Sequence, residues 1–235
     1  MKHFVLDPSF SELFPKSRIG VLVCKGIDNH IAEEERYAPW LRECEKASAV
    51  YTANPEFTEN ETIRNWRDAF CQFKTKKGAR CSIEALLKRV SKGGEIGCIN
   101  PLVDLYNGIS LKYGMPVGGE DIDKFEGDVR LTLAEGGESF ITYGSDKDEP
   151  ALPGEVIYKD DAGAICRCWN WRESVRTMLT EDVTNAFMII ETVQGEFPER
   201  LEGALDELAK KVEAELGGSV EKFIVDKDNP RIELI

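Results

Sequence analysis

Only two histidines, His3 and His30, occur in this chain of 235 residues, both in its first 30. A Ser-His-Asp or Cys-His centre in the middle of the chain would have to borrow one of them, which turns the reading away from side-chain nucleophiles. The seven cysteines, at 24, 44, 71, 81, 98, 166 and 168, include no CxxC pair and no repeated spacing. Reduced thiols are expected, and the lone CxC of Cys166 and Cys168, with no second pair or nearby His, implies no zinc site. GxGxxG is missing after the first expected strand and GxxxxGK[ST] is missing throughout, which removes the usual support for dinucleotide and nucleoside triphosphate binding. No apolar run approaches the roughly 18 residues of a membrane span. MKHFVLDPSFSELFPKSR has acids and prolines where a signal peptide carries its apolar stretch, so a cytoplasmic location is expected. There is no internal repeat, low-complexity tract or long linker, and the length is ample for a single large domain.

What is present is an ordinary globular composition, 42% apolar and 31% charged, with a net charge of -13. That charge argues against coating nucleic acid by bulk electrostatics. It is unevenly spread. KTKKGARCSIEALLKRVSK, residues 74 to 92, holds seven cations, including Lys76, Lys77 and Arg80, against the single acid Glu84, so the segment is +6 and the remainder -19. It reads either as a solvated loop and helix face or as a local seat for a few phosphates.

Strand and helix patterns interleave, which indicates an α+β fold. RIGVLVCKGI reads as a buried strand. EEERYAPWLRECEKASAVY reads as a helix that Pro39 starts or kinks, and TENETIRNWRDAFCQF as a second helix. SIEALLKRVSKGG follows, with Ser82 as a candidate cap and Gly93-Gly94 as its stop, and Asn100-Pro101 opens the next helix as N-cap and first-turn proline. The period then changes to two: GDVRLTLA is a strand, ESFITYG continues the sheet, and EVIYKDDAGAICRCW is a hairpin around Asp160 to Gly163. NWRESVRTMLTED is irregular, TNAFMIIETV is a strand or a buried helix, PERLEGALDELAKKVEAELGG is an amphipathic helix and SVEKFIVDKDNP a closing strand.

Three places carry candidate chemistry. In INPLVDLYNGISLKYG, Asn100, Asp104 and Asn107 share one helix face, opposite an apolar stripe that contains Tyr106; this is a wetted face or the wall of a polar site. In ALPGEVIY, Pro153-Gly154 fixes one φ and frees the next, so backbone N–H groups can approach a ligand beside Glu155, or the pair simply opens a strand. In WNWRESVR, the tryptophans with Asn170 and Arg172 can stack on and fork onto a planar or anionic ligand, or serve as core aromatics flanked by surface arginines.

INPLVDLYNGISLKYGMPVGGEDIDK, the GDVRL strand, ALPGEVIYKDDAG, CRCWNWR and the strand ending in Glu191 together resemble the B3/4 domain in its stand-alone form. The likeness runs from about residue 50 to the C-terminus. This domain is also the editing module of the bacterial phenylalanyl-tRNA synthetase beta subunit, which hydrolyses wrongly attached tyrosine, and likeness to that module falls mainly in residues 95 to 195. The resemblance implies B3/4-like mixed sheets flanked by helices, one domain over 1–235 with residues 1–50 as an N-terminal extension packed on it and 95–195 as the motif-bearing core. Residue by residue, the synthetase's V-D-V-T-N falls on Val103 to Asn107, keeping Asp104 and Asn107. The turn lining the editing pocket falls on Pro153 and Gly154, and the pocket glutamate on Glu191. The pocket threonine has become Tyr106, and the pocket histidine has become Gly118, beside Gly119.

The resemblance therefore implies a hydrolase that deacylates a mischarged aminoacyl-tRNA in trans, with Asn107 and Glu191 at the reacting group. Asn100, Asp104, Tyr106, Gly118, Gly119, Pro153, Gly154, Glu155, Asn170 and Arg172 would bind the substrate, and Lys76, Lys77 and Arg80 the tRNA acceptor end. Losing His and Thr makes tyrosine a poor guess for the amino acid. An aminoacyl ester is already activated and needs mainly a positioned water and oxyanion donors. No cofactor, metal or membrane partner is implied. The alternative is a non-catalytic pocket for a free amino acid or related small molecule.

Overall fold

The computed structural model describes residues 1–195 and 198–235. In chain order the elements are β1 (His3–Leu6), α1 (Pro8–Leu13), β2 (Arg18–Lys25), α2 (Ala38–Ala47), α3 (Glu61–Phe70), α4 (Ser82–Ser91), α5 (Pro101–Tyr113), β3 (Val117–Asp121), β4 (Val129–Leu133), β5 (Val156–Asp160), β6 (Gly163–Arg167), β7 (Arg172–Glu173), β8 (Asn185–Thr192), α6 (Pro198–Leu216), β9 (Ser219–Val225) and β10 (Arg231–Glu233). They form an α+β fold with two sheets. A six-stranded sheet has the order β10-β1-β4-β5-β6-β7, in which only β1 and β4 run parallel. A four-stranded sheet has the order β3-β8-β2-β9 and is antiparallel throughout. The first 25 residues thus supply a strand to each sheet. Among the described residues no helix is long and apolar enough to cross a membrane.

Strand alternation places the layers. Ile19, Val21, Val23, Phe187 and Ile189 from one face of the four-stranded sheet join Phe4, Val156 and Tyr158 of the other sheet in one core, with Phe4 and Phe187 rings 5.1 Å apart. Leu22, Met188 and Ile190 face the opposite way, onto Leu105 of α5 and Leu201, Leu205 and Leu208 of α6. Gly20 permits that seat, because a Cβ there would lie 2.7 Å from Leu205. TNAFMIIETV is resolved as a strand, not a helix, since alternate residues are buried by two different layers.

Helix α5 is the central element. Asn100 caps it by accepting the Val103 N–H at 3.1 Å, Pro101 occupies its first turn, and Gly114 ends it at φ +61°, each where stereochemistry favours it. Every residue from Pro101 to Leu111 is buried, so the helix has no wetted face. Two local expectations fail. Cys81, not Ser82, is the N-cap of α4, and Ser82 makes no capping bond. ESFITYG does not continue the sheet beyond a single bridge at Thr142, because Asp148 takes the Phe140 N–H and Glu138 takes the N–H groups of Glu135 and Gly136; side chains there satisfy backbone groups that a ladder would use.

Candidate functional site

A cavity of about 300 Å³ opens where α4, α5 and the two sheets meet. Its walls are largely apolar: Leu86 from α4, Tyr106 from α5, Val117 from β3, Ile165 from β6, and Phe187 and Ile189 from β8. Into this setting three carboxyl groups project, from Glu120, Glu173 and Glu191, against one lining cation, the exposed Arg172.

Glu191 is 1% exposed. The Tyr158 hydroxyl donates to its Oε1 at 2.5 Å and the Asn170 amide to its Oε2 at 2.6 Å. Both donors are neutral, and burial outweighs them, pushing the carboxyl up to about 7. Asn170 is held in turn by the Ser82 N–H, 3.4 Å from its Oδ1, so one amide ties the start of α4 to Glu191. Glu173 is also raised to about 7 by burial, and Glu120 is raised by burial and by the neighbouring Glu173. Glu120 Oε2 has no hydrogen-bond partner among the described residues. Register explains the placement: Glu120 lies opposite Phe187 and Gly118 opposite Ile189, so Glu120, Gly118 and Glu191 look onto one sheet face at successive levels. An uncompensated buried carboxylate is costly, and either a proton or a bound cation relieves it.

Asn107 lines the cavity and forms no hydrogen bond with a described residue, leaving its amide free for a ligand. A Cβ at Gly118 would meet only Glu173 and Ile189, at 3.6 and 3.8 Å, whereas at Gly119 it would strike the Met188 sulfur at 2.4 Å. Gly118 therefore leaves space in the wall, and Gly119 is glycine for packing.

Several expected residues lie elsewhere. Asn100 and Asp104 line a separate cavity of about 310 Å³, together with Asp28, residues 30–37, Cys98, Ile99, Pro101, Glu215 and Leu216. The Asn100 side chain is spent on the helix cap, Asn29 and the Leu179 carbonyl. Asp104 accepts the Ile99 N–H at 2.7 Å, and burial raises its pKa. The shared helix face thus does not make one site, because α5 is enclosed on all sides and its turns meet different neighbours. Pro153, Gly154 and Glu155 do not line the cavity with Glu191. Gly154 donates its N–H to the Ala134 carbonyl and accepts from the Lys74 N–H, so it has no free N–H to offer a ligand. Glu155 is fully buried and paired with Arg167 through bonds of 2.5 and 2.8 Å.

Outside the mouth lies an open basic hollow of about 680 Å³, lined by Lys77, Arg80, Lys88, Arg89, Lys92 and Arg172 with no acid. None of these six is ion-paired with a described carboxylate. Lys76 is not part of it; its ammonium is held by Glu149. Ser82, Ala85, Trp171 and Arg172 border both hollow and cavity. Glu120, Glu173, Tyr158 and Ser82 were not expected at the site. The alternation of VGGED could have marked Glu120, two residues from Gly118 on the same strand face, but the other three become visible only through strand register and sheet stacking.

No curated protein matches the chain. Among solved structures, an N-terminal fragment of the phenylalanyl-tRNA synthetase beta-subunit from Pyrococcus horikoshii is similar at 12% identity and a TM-score of 0.46, over 94% of this chain and 53% of that one; the chain spans about half the length of that fragment. A family model for the B3/4 domain matches residues 65–203. Every residue lining the cavity of Glu191 falls inside that match, whereas Asp28, residues 30–37, Glu215 and Leu216 of the other cavity fall outside it. The chain belongs to the B3/4 domain family.

Proposed function

We propose that this protein is a hydrolase acting in trans on aminoacyl-tRNA, and that it removes an amino acid carrying a positively charged side chain. One observation carries the reading: a cavity lined by three carboxyl groups, those of the buried Glu120 and Glu191 and the half-buried Glu173, with the exposed Arg172 as its one lining cation, opens directly onto a hollow lined by six cations and no acid. Its ligand is cationic at one end and polyanionic at the other. The aminoacylated end of a tRNA has that polarity, with an ammonium group inside and phosphates outside.

Glu191, oriented by Tyr158 and Asn170, takes the α-ammonium. Glu120 lies opposite Phe187, four residues from Glu191 along β8, about 13 Å of strand, and with Glu173, which lines the same cavity, takes the charge at the end of a long unbranched side chain. Gly118 leaves the wall between them open. The Asn107 amide donates to the carbonyl oxygen as water adds to the ester carbon, and the bond to the ribose oxygen then breaks with that oxygen taking up a proton. Little more is required of an activated ester than orientation and a donor at the developing oxyanion.

The test is a deacylation assay over tRNAs each charged with a single amino acid. Lysyl, arginyl and ornithyl esters and their cationic isosteres are expected to be hydrolysed at least about tenfold faster than tyrosyl or leucyl esters. Glu191→Gln is expected to lower the preferred rate at least about tenfold, since a charged hydrogen bond is worth roughly 1.5 to 3 kcal/mol. Absence of hydrolysis on the whole panel, with binding of free lysine or arginine retained, would replace the deacylase by an amino-acid-binding module.

A further inference from the structure

We infer that the mouth of the cavity is a nucleoside subsite, in which Trp171 stacks on the base of the terminal adenosine and the Ser82 hydroxyl meets its ribose; the inference rests on the deacylase reading. Between an amino acid held inside and phosphates held outside, the tRNA must place a nucleoside. The ester sits on the ribose of the last nucleotide, so that ribose and its base occupy the passage from cavity to hollow. Of the four residues bordering both spaces, Ser82, Ala85, Trp171 and Arg172, Trp171 alone carries an aromatic ring.

The chain spends conformational energy to put that ring there. Cys168 and Trp169 both have positive φ, 46° and 65°, a region that costs an L-residue roughly 1 to 2 kcal/mol. The kink is anchored by Trp169, fully buried with Phe10, Phe14 and Trp66 rings 5.0, 4.7 and 4.9 Å away, and by the Trp171 N–H bond to the Arg167 carbonyl. Consecutive residues therefore face the core, the cavity and the mouth. Trp171 itself is only half-buried, and the Lys76 ammonium lies 5.9 Å from its ring centroid, so a base that stacks there meets the ring in the company of cations. The exposed Arg172 guanidinium lies 5.1 Å from its centroid, which places a cation where a phosphate leaves a stacked nucleoside.

Ser82 supplies the second observation. Its hydroxyl is buried, has no hydrogen-bond partner among the described residues and borders both spaces. A buried hydroxyl can both donate and accept, and leaving it unmet is unfavourable. A ribose hydroxyl beside the ester is the matching group, since it both donates and accepts and sits next to the atom that the cavity must hold. Stacking on an aromatic side chain needs only the π-face of the base.

The experiment measures equilibrium binding of the full chain to three forms of one uncharged tRNA: intact, trimmed of its 3′ adenosine, and ended in 2′,3′-dideoxyadenosine. The wild-type protein is expected to prefer intact over trimmed tRNA by about tenfold, the scale of one stacked base. Trp171→Ala is expected to erase that preference and Trp171→Phe to keep most of it. Ser82→Ala is expected to weaken binding of the intact form several-fold while leaving the dideoxy form unchanged. Equal wild-type affinity for intact and trimmed tRNA, or a preference that survives Trp171→Ala, overturns the subsite even if deacylation proceeds. A preference that behaves as expected in a protein without hydrolytic activity upholds the subsite and removes the deacylase. Failure to bind any of the three forms removes both.

Discussion

Two buried acids of this protein, Glu155 and Glu191, sit in comparable darkness and have opposite company. Glu155 is 0% exposed and meets the Arg167 guanidinium, itself 2% exposed, through two hydrogen bonds. Glu191 is 1% exposed and meets a phenol and an amide. The first charge is complete within the chain and holds β6 to the turn before β5. The second is oriented without being neutralised, and its two acidic neighbours in the cavity, Glu120 and Glu173, make that deficit larger. Burial alone does not distinguish an acid that supports the fold from one that waits for a ligand; the presence of an internal cation does.

The largest effect that tests this contrast is on stability. Arg167→Met strands the Glu155 charge and is expected to cost about 3 to 5 kcal/mol, while pairing it with Glu155→Gln restores most of the loss. Denaturant unfolding of the two single variants and the double variant measures the cycle; equal losses in single and double would show that the pair is not the unit.

Glu191→Gln should behave in the opposite sense. The wild-type carboxyl, raised from 4.5 to about 7, binds its proton more tightly folded than unfolded. Its stabilising contribution is therefore complete below about pH 4.5 and is lost as pH rises through about 7, an amount on the order of 3 kcal/mol. The amide does not titrate, so the variant is expected to match wild type at pH 4 and exceed it at pH 8. A variant less stable than wild type at pH 8 would place a cation on Glu191 within the chain.

The smallest effect concerns the same distinction among cations. Lys77 and Arg80 lack carboxylate partners and Lys76 is held by Glu149. Lys77→Ala and Arg80→Ala are each expected to reduce the salt dependence of tRNA binding by roughly 0.7 in log–log slope per lost phosphate contact, with Lys76→Ala having less effect. A slope set by Lys76 would move the tRNA path away from the basic hollow.

The sequence made the framework legible where periodicity has one explanation. The strand at 18–25, the hairpin across Asp160 to Gly163, the Asn100-Pro101 helix start and the long helix from Pro198 follow from alternation, capping and turn chemistry, all local. Family resemblance placed Glu191, Asn107 and Gly118 on one cavity, but it also drew in Glu155, whose partner Arg167 is 12 residues away on the neighbouring strand. In α5 the helical wheel separated polar from apolar residues correctly and still misled, because a helix buried on all sides lets Asn100 and Asp104 meet one cavity and Tyr106 and Asn107 another. Glu173 sits in a stretch whose composition suggests a wet surface, and only sheet register brings it to the cavity that Glu120 also lines.

The backbone kink at Cys168 and Trp169 has a consequence for how this stretch tolerates variation. Trp169 answers to the volume of an aromatic core, Asn170 to two hydrogen bonds that it makes at once, and Trp171 to a half-open rim. A library randomised over these three neighbours would be filtered by three unrelated criteria, with unfolding at the first position, misalignment of Glu191 at the second and an intact fold at the third. Two tryptophans one residue apart, identical as letters, would return opposite profiles of permitted replacements.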